Sequence, residues 1–298
     1  MKTRIAAILL VLFLVLPTIA LAGGSDTSSR CKTKYPVVLA HGMFATSEIL
    51  GIVDYWWGIE GALKKEGASV YITAVNAMDS TYSKAVAFRN QYLQILAVSG
   101  KAKANIIGHS HGAIYTRYAM SNLGLGSKVA SLTSLSGPHQ GSALADIIMF
   151  DLPSDLRKAA GSSLDWLFAF LFGDTNPDVL QNGYDVTTTY MKNVFNPNTP
   201  NVAGVYYQSY AAKAKWSCPS IVLEPLWVVL LIYEGANDGV VSVNSAKWGN
   251  YRGAQEAAWY SPGVDHINMV GHLFGLTPGF DAPAFYTDIV ADLKSRGY

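Results

Sequence analysis

The chain has 298 residues, of which 50% are hydrophobic and 14% charged, and its formal net charge at pH 7 is +1. This length is close to the upper limit for one hydrophobic core, which α/β domains of this size commonly form. The nearly balanced charge argues against a nucleic-acid partner, since such a partner requires a basic surface.

The N-terminus has the three parts of a secretory signal peptide. A basic stretch, Met1–Arg4, precedes an apolar run from Ile5 to Leu16, and Ala20–Ala22 forms a small-residue cleavage site. The apolar run is short and early, which favours a signal peptide over an uncleaved membrane anchor. We therefore predict that residues 1–22 are removed and that residues 23–298 are secreted as one domain.

Cys31 and Cys218 are the two cysteines of the chain. In an exported protein, a disulfide between them would tie the mature N-terminus to a late loop. The sequence leaves their pairing open.

Strands alternate with helical stretches through the first half of the mature chain. The predicted strands are Tyr35–Ala40, Ala68–Val75, Ala104–Ile107 and Val129–Leu135. The predicted helices are Tyr55–Glu66 before Gly67, Ser80–Val98 opened by Ser80 or Ser83 and closed near Gly100, and Ala113–Met120. This alternation predicts a mostly parallel sheet covered by helices on both faces.

In the second half of the chain, strands and helices are not predicted to alternate regularly. Gly183–Lys215 is rich in Asn, Thr, Pro and Tyr, which predicts a surface excursion. The apolar run Leu226–Tyr233 is predicted as the last strong strand, and Asp281–Arg296 as a closing helix.

Ser110 lies between Gly108 and Gly112 after an apolar run, in the pattern G-x-S-x-G. This pattern predicts a nucleophile elbow, in which a strand ends, the chain turns sharply and a helix begins, so that the serine Oγ is exposed. Glycines are expected because side chains would collide across so tight a turn. The alternative is a glycine-rich turn with an ordinary serine, and the flanking strand and helix disfavour it.

His41-Gly42-Met43 follows the first predicted strand. An oxyanion hole needs a backbone donor at this edge of the sheet, paired with the N–H of the residue after the nucleophile. We predict that Met43 and His111 donate through their backbone N–H groups. Without Ser110, His41-Gly42 would indicate only a strand-ending turn.

The acid and base of a catalytic triad are expected after Ser110, in that order. His266 and His272 are the histidines that follow the last predicted strand, and we favour His266, which lies in a loop. Asp238 lies in a tight Asn-Asp-Gly turn just beyond that strand, and Glu234 is its local competitor. In this hypothesis His266 takes the proton of Ser110 and Asp238 fixes the imidazole.

Residues 143–173 interrupt the alternation. Asp146–Pro153 and Leu164–Phe172 carry more large apolar side chains than a helix packed on one face can bury. One interpretation is a buried core helix. The other, which we favour, is a helical lid that covers the site in water and turns toward lipid at an interface, with Gly161 and Gly173 as hinges.

The chain resembles the secreted bacterial true lipases of family I, of the Pseudomonas and Burkholderia type, with the Proteus-like branch nearby. The matching stretches are Lys34–Met43, Val53–Ile59, Gly108–Gly112, Gly137–Ser142, Ala236–Gly239 and Asp265–Leu276. Only the lid and residues 183–225 match poorly. The resemblance implies an α/β-hydrolase fold. It assigns the triad and the oxyanion donors to the same residues as above, namely Ser110, Asp238, His266, Met43 and His111.

That family holds a structural calcium ion beside the catalytic histidine, through two aspartates, a glutamine and a carbonyl. The corresponding positions here are Glu224, Asn268, His272 and Leu276. Because calcium prefers several hard oxygen ligands, we expect calcium binding to be weak or absent and no cofactor to be required. We expect direct hydrogen bonds to hold the loop of His266 in place. The disulfide of the Pseudomonas members has no obvious counterpart here. Some members need a dedicated foldase partner, and the residues do not decide whether this chain does.

These observations predict a secreted serine carboxylic-ester hydrolase, a triacylglycerol lipase with a lipid substrate and an acyl-enzyme on Ser110. The low charge, Tyr55–Trp57 and the apolar 143–173 region favour a water-insoluble substrate. The alternatives are a short-chain carboxylesterase or phospholipase on the same triad, and a catalytically silent lipid-binding protein of the same fold. A loss of preference for long acyl chains would indicate the esterase. Lipid binding that survives replacement of Ser110, without turnover, would indicate the silent protein.

Overall fold

The computed structural model describes residues 28–43, 48–49, 53–151, 178–272 and 275–298. The predicted signal peptide, the apolar stretch Leu164–Phe172 and the hinge candidates Gly161 and Gly173 lie outside these residues. Among the described residues, no helix is both long and apolar enough to cross a membrane.

A parallel sheet forms the centre of the molecule. The strands are β1 (Val37–Ala40), β2 (Glu48–Ile49), β3 (Val53–Asp54), β4 (Val70–Thr73), β5 (Ala104–His109), β6 (Val129–Leu135), β7 (Tyr206–Ala212) and β8 (Asn250–Gln255). Six of them pair in parallel in the order β4-β1-β5-β6-β7-β8, while β2 and β3 form a separate antiparallel pair. The predicted parallel sheet is confirmed.

Helices connect the strands. They are α1 (Ile59–Lys65), α2 (Thr81–Ser99), α3 (His111–Asn122), α4 (Ala143–Asp146), α5 (Val179–Tyr184), α6 (Thr188–Tyr190), α7 (Asn196–Asn198), α8 (Glu224–Tyr233) and α9 (Ala282–Ser295). Single π-helical turns lie at Ile147–Asp151 and Met191–Phe195, and 3-10 turns at Gly126–Lys128, Ile221–Leu223 and Asn268–Val270.

The sheet is buried on both faces. Along β1, Val37 and Leu39 pack with α1 and α9, whereas Val38 and Ala40 pack with α2 and α3. Successive side chains of a strand point to opposite faces, so an unbroken apolar run is expected where helices cover both sides. The predicted helices on both faces are therefore confirmed.

The boundaries of α2 follow its sequence closely. The Ser80 side chain accepts a hydrogen bond from the backbone N–H of Ser83 and caps the helix start. At the other end Gly100 has a φ of 63°, a left-handed conformation that favours glycine. Both predicted ends of this helix are confirmed.

The predicted strand Leu226–Tyr233 is wrong, because this run forms most of helix α8. A short, wholly apolar run has no alternation that separates a strand from a helix. The indication of a helix lay just before it, where Glu224 and Pro225 occupy the first turn, a position at which proline is favoured.

The predicted surface excursion at 183–215 is wrong where strand β7 lies, although most residues from 183 to 205 are exposed or half-buried. This stretch contains α6, α7 and the strand β7, whose second half is buried between β6 and β8. Its polar side chains misled the prediction, since Gln208 is buried and its Nε2 donates to Thr133 Oγ1 at 2.9 Å. A buried amide is tolerated in a strand when a neighbouring strand supplies its partner. The edge strand β8 was not predicted.

Both cysteines are free and buried. The Cys31 thiol donates to the carbonyl oxygen of Thr287 at 3.4 Å, and burial raises the pKa of both thiols. The structure therefore has no disulfide between Cys31 and Cys218.

We expect dithiothreitol to leave the thermal midpoint of the protein unchanged. Without reductant, iodoacetamide should label Cys31 and Cys218 fully in denaturant and only slowly in the native protein, because the reactive thiolate is disfavoured by burial. Intact mass spectrometry measures the label. A denatured, unreduced chain that takes up no label would contradict the structure.

Candidate active site

Ser110 occupies a strained turn between β5 and α3. Its φ is 56° and its ψ is −131°, a combination that non-glycine residues rarely adopt. The Ser110 N–H donates to the carbonyl oxygen of Leu135 at 2.9 Å, which fixes the turn to the end of β6. The predicted sequence of strand, sharp turn and helix is confirmed.

The glycines around this turn are required by close backbone approaches. A Cβ on Gly108 would lie 2.7 Å from the backbone nitrogen of Ala113, across the turn as predicted. A Cβ on Gly112 would instead overlap the carbonyl oxygen of Ala40 in β1, so its predicted reason was wrong. Gly42 was not predicted as a packing position, although a Cβ there would lie 2.5 Å from the Ser110 Cβ.

Asp238 and His266 meet near this turn. The His266 Nδ1–H donates to Asp238 Oδ2 at 2.8 Å, and both residues are buried. The other carboxylate oxygen, Oδ1, accepts from the N–H groups of Val240 and Val241 at 3.0 and 2.7 Å. Because Nδ1 is engaged by the carboxylate, Nε2 of His266 is the nitrogen left to accept a proton.

The acid reaches the site by a longer route than the sequence indicated. Helix α8 lies between β7 and the Asn237-Asp238 turn, so Asp238 does not directly follow a strand. The turn is tied back to the sheet because the Ala214 N–H, just past β7, donates to the Asn237 carbonyl at 3.0 Å. Glu234, the competitor, is engaged elsewhere, since its Oε1 accepts from the Ala143 N–H at 2.6 Å.

His272, the competing base, lies apart from the carboxylate. Its ring makes an edge contact with Tyr55 at 6.2 Å between centroids, and burial lowers its pKa. The structure brings His266, and not His272, to Asp238.

His111 is the first residue of α3. The first N–H groups of a helix have no acceptor within the helix, and the helix dipole adds a partial positive charge there. The backbone N–H of His111, directly after Ser110, is therefore available to an anion.

The His41 ring orients the second predicted donor, Met43. Its Nδ1–H donates to the Gly42 carbonyl at 2.9 Å, while its Nε2 accepts from the Val75 N–H at 3.1 Å. Burial and the nearby charge of Lys84 lower the His41 pKa to about 4, so the ring is neutral at pH 7, as these two bonds require. In a trans peptide the C=O and N–H point in opposite directions, so fixing the Gly42 carbonyl also fixes the Met43 N–H.

Tyr55 joins the two sides of the site, a role that sequence reasoning missed. Its hydroxyl accepts from the Gly42 N–H at 3.1 Å and donates to His109 Nδ1 at 2.6 Å. The His109 ring in turn lies 4.6 Å from the His266 ring between centroids. Tyr55 and Trp56 are core residues, so the aromatic run that favoured an insoluble substrate in sequence is mostly internal.

The four predicted calcium positions do not fit a calcium ion. Glu224 Oε2 already accepts from the Cys218 N–H at 2.6 Å, and Asn268 Nδ2 donates to the His272 carbonyl at 3.0 Å. Nowhere in the described ranges do three or more His, Cys, Asp or Glu side chains cluster as a metal site would require. One carboxylate, one amide and one imidazole are also a poor donor set for this ion.

Direct hydrogen bonds hold the loop of His266. Asp265 Oδ2 accepts from the Ser220 N–H at 2.6 Å, and Oδ1 accepts from the N–H groups of Ile267 and Asn268 at 3.0 and 2.9 Å. The residue beside His266 thus links its loop to the segment that precedes α8.

Comparisons with known proteins agree with this fold. A family model described as alpha/beta hydrolase fold matches residues 35–247. The chain is 29% identical over 299 residues to a triacylglycerol lipase of Vibrio cholerae, covering 89% of each chain. It is 30% identical over 267 residues to triacylglycerol lipase 2 of Saccharomyces cerevisiae, covering 83% of this chain and 75% of that one.

A solved structure shows the same fold. The mature form of Bacillus licheniformis lipase BlEst2 matches with a TM-score of 0.64 and 19% identity, over 88% of this chain and 93% of that one.

We expect Tyr55→Phe to lower the free energy of unfolding by about 2 kcal/mol, because it leaves the buried Gly42 N–H and His109 Nδ1 without their shared partner. Urea denaturation measures the change. Tyr286→Phe is the matched control, since the Tyr286 hydroxyl is equally buried and has no hydrogen-bond partner among the described residues. Equal stability of the two variants would contradict the proposed bridge.

Proposed function

The chain belongs to the alpha/beta hydrolase fold family and is a serine ester hydrolase, and we propose that it is a secreted triacylglycerol lipase of the bacterial family I type. The observation that carries the proposal is the 2.8 Å hydrogen bond between His266 Nδ1 and Asp238 Oδ2, beside the strained turn of Ser110. The relatives named triacylglycerol lipase support the substrate class. The signal-like sequence of residues 1–22 supports secretion.

In the proposed mechanism Ser110 Oγ attacks the ester carbonyl carbon while His266 Nε2 takes the hydroxyl proton. Asp238 keeps the imidazole in the correct tautomer and stabilises the imidazolium that forms. The backbone N–H groups of Met43 and His111 stabilise the oxyanion. The ester C–O bond then breaks, His266 returns the proton to the leaving alcohol, and water hydrolyses the acyl-enzyme by the same steps.

Exposed apolar side chains on and just before helix α8 favour a water-insoluble substrate. We call them the apolar rim, which consists of Trp216, Ile221, Val222, Leu226, Leu231, Ile232 and Tyr233. Ile232 is 76% exposed and Ile221 83% exposed, which is unusual for such large apolar side chains. The last rim residue, Tyr233, lies five residues before Asp238 in the sequence. The next residue, Glu234, accepts a hydrogen bond from the N–H of the first residue of α4.

We also propose that residues 143–173 act as a lid. Support comes from their described part, in which Ile148 and Phe150 are about half exposed. The start of the segment is anchored, because the Asp146 carboxylate accepts from the N–H and the hydroxyl of Thr188 at 2.9 and 2.6 Å.

The first experiment assays the purified mature protein on triolein emulsion and on p-nitrophenyl butyrate, with and without EDTA. We expect hydrolysis of triolein that survives EDTA and falls by roughly 10⁴-fold or more in Ser110→Ala, since the nucleophile is lost. Activity on the butyrate alone would indicate the short-chain esterase. A folded protein inactive on both esters would contradict the proposal.

A second experiment tests the apolar rim. Ile232→Glu should reduce hydrolysis of triolein emulsion at least about fivefold, because a carboxylate opposes transfer of the rim into oil, and should leave p-nitrophenyl butyrate hydrolysis unchanged. Val98→Glu is the matched control, since Val98 is 74% exposed on helix α2, outside the rim. Equal loss on both substrates, or equal loss in both variants, would reject an interfacial role for the rim.

A further inference from the structure

Lys84 is a buried lysine next to the proposed oxyanion hole. It lies on helix α2 and is 1% exposed, with Ala85 and Phe88 of the same helix in the apolar core. Burying an ammonium group costs several kcal/mol unless polar groups compensate, so its surroundings indicate a specific role.

Two residues of α2 hold the His111 ring between them. Lys84 Nζ lies 3.0 Å from His111 Nδ1, and Thr81 Oγ1 lies 2.8 Å from His111 Nε2. An ammonium group only donates, so Nδ1 is the acceptor and Nε2 carries the proton. Burial, with the charge of Lys84 as a second cause, lowers the pKa of His111 well below its usual value, so the ring is neutral.

The same ammonium group acts on the other side of the hole. Its charge contributes to the lowered pKa of His41, the ring that orients the Gly42–Met43 peptide. The charge of Lys84 thus lowers the pKa of two rings, His41, which orients the Met43 N–H, and His111 itself.

From this arrangement we infer that Lys84 is a positioning residue of the oxyanion hole, which fixes His111 and supplies a buried positive charge to the anionic tetrahedral intermediate. The inference rests on the proposed function. The substrate carbonyl is neutral before attack and its oxygen becomes negative afterwards. A fixed cation in a water-poor site therefore stabilises the intermediate more than the bound ester.

This difference predicts a specific kinetic signature. Removing one direct oxyanion donor lowers kcat by about 10²–10³-fold, so loss of a charge that acts through a ring should lower kcat by about 10- to 100-fold. KM for p-nitrophenyl butyrate should change less than about twofold, because the neutral ester does not use the charge.

The experiment compares Lys84→Met, which keeps an unbranched side chain one atom shorter and without charge, with Lys84→Arg, which keeps the charge. We expect kcat to fall by about 10- to 100-fold in Lys84→Met and by a smaller factor in Lys84→Arg. The Ki of phenylboronic acid, which forms an anionic tetrahedral adduct on the serine, should rise in Lys84→Met by about the factor by which kcat/KM falls. If Lys84→Met does not fold, Lys84→Gln replaces it.

Arg117→Met is the matched control. Arg117 is also a buried cation, but it donates to His139 Nδ1 at 3.1 Å and lies 3.6 Å above the Trp248 ring, away from the proposed donors. The Arg117→Met substitution should lower the thermal midpoint and leave kcat within about twofold of the value for the parent protein.

A folded Lys84→Met with unchanged kcat, or an equal loss of kcat in Arg117→Met, would overturn the inference. A loss confined to KM would overturn it as well. Failure of the proposed function has a different result, namely a parent protein that does not hydrolyse the ester or a Ser110→Ala variant that still does.

Discussion

The backbone of Ser110 is held at a φ of 56°, and the rest of the site is arranged around that strained turn. The turn is stable because its neighbours leave no room for relaxation. Gly112 lies against the Ala40 carbonyl of β1, Gly42 lies against the Ser110 Cβ, and the Ser110 N–H is bonded to Leu135 of β6. Three parallel strands, β1, β5 and β6, therefore fix Ser110 at the edge where their carboxyl ends meet.

The six histidines fall into two groups, buried rings with a lowered pKa and one ring that is hydrogen-bonded to a carboxylate. Burial lowers the pKa of five of the six, His41, His109, His111, His139 and His272. Several of these neutral rings fix backbone or other side chains, as His41 does for the Gly42 carbonyl. Among the residues that the structure describes, a carboxylate is hydrogen-bonded to the ring of His266 alone. One residue type therefore serves two tasks, neutral support and the proposed proton transfer.

The contact between Asp238 and His266 could be predicted from the sequence, whereas much of the second half of the fold could not. The G-x-S-x-G spacing and the order of serine, acid and histidine depend on short segments, and the structure brings Asp238 to His266 as that order requires. The route of the chain was harder to predict, because β7 hides buried polar side chains such as Gln208 and α8 is apolar on nearly every side. Asp238 was selected for following a strand that is in fact a helix. The roles of Tyr55 and Lys84 depend on contacts between distant segments, which no local pattern indicates.

The most direct test of the proposed mechanism is the site of covalent modification by diethyl p-nitrophenyl phosphate, a serine-directed phosphorylating agent. Peptide mass spectrometry of the labelled parent protein and of His266→Ala identifies the modified residue and its dependence on the base. The proposed mechanism predicts one diethylphosphoryl group on Ser110 in the parent and labelling slowed by orders of magnitude in His266→Ala. Modification at another serine, or labelling of Ser110 at the same rate without His266, would contradict it.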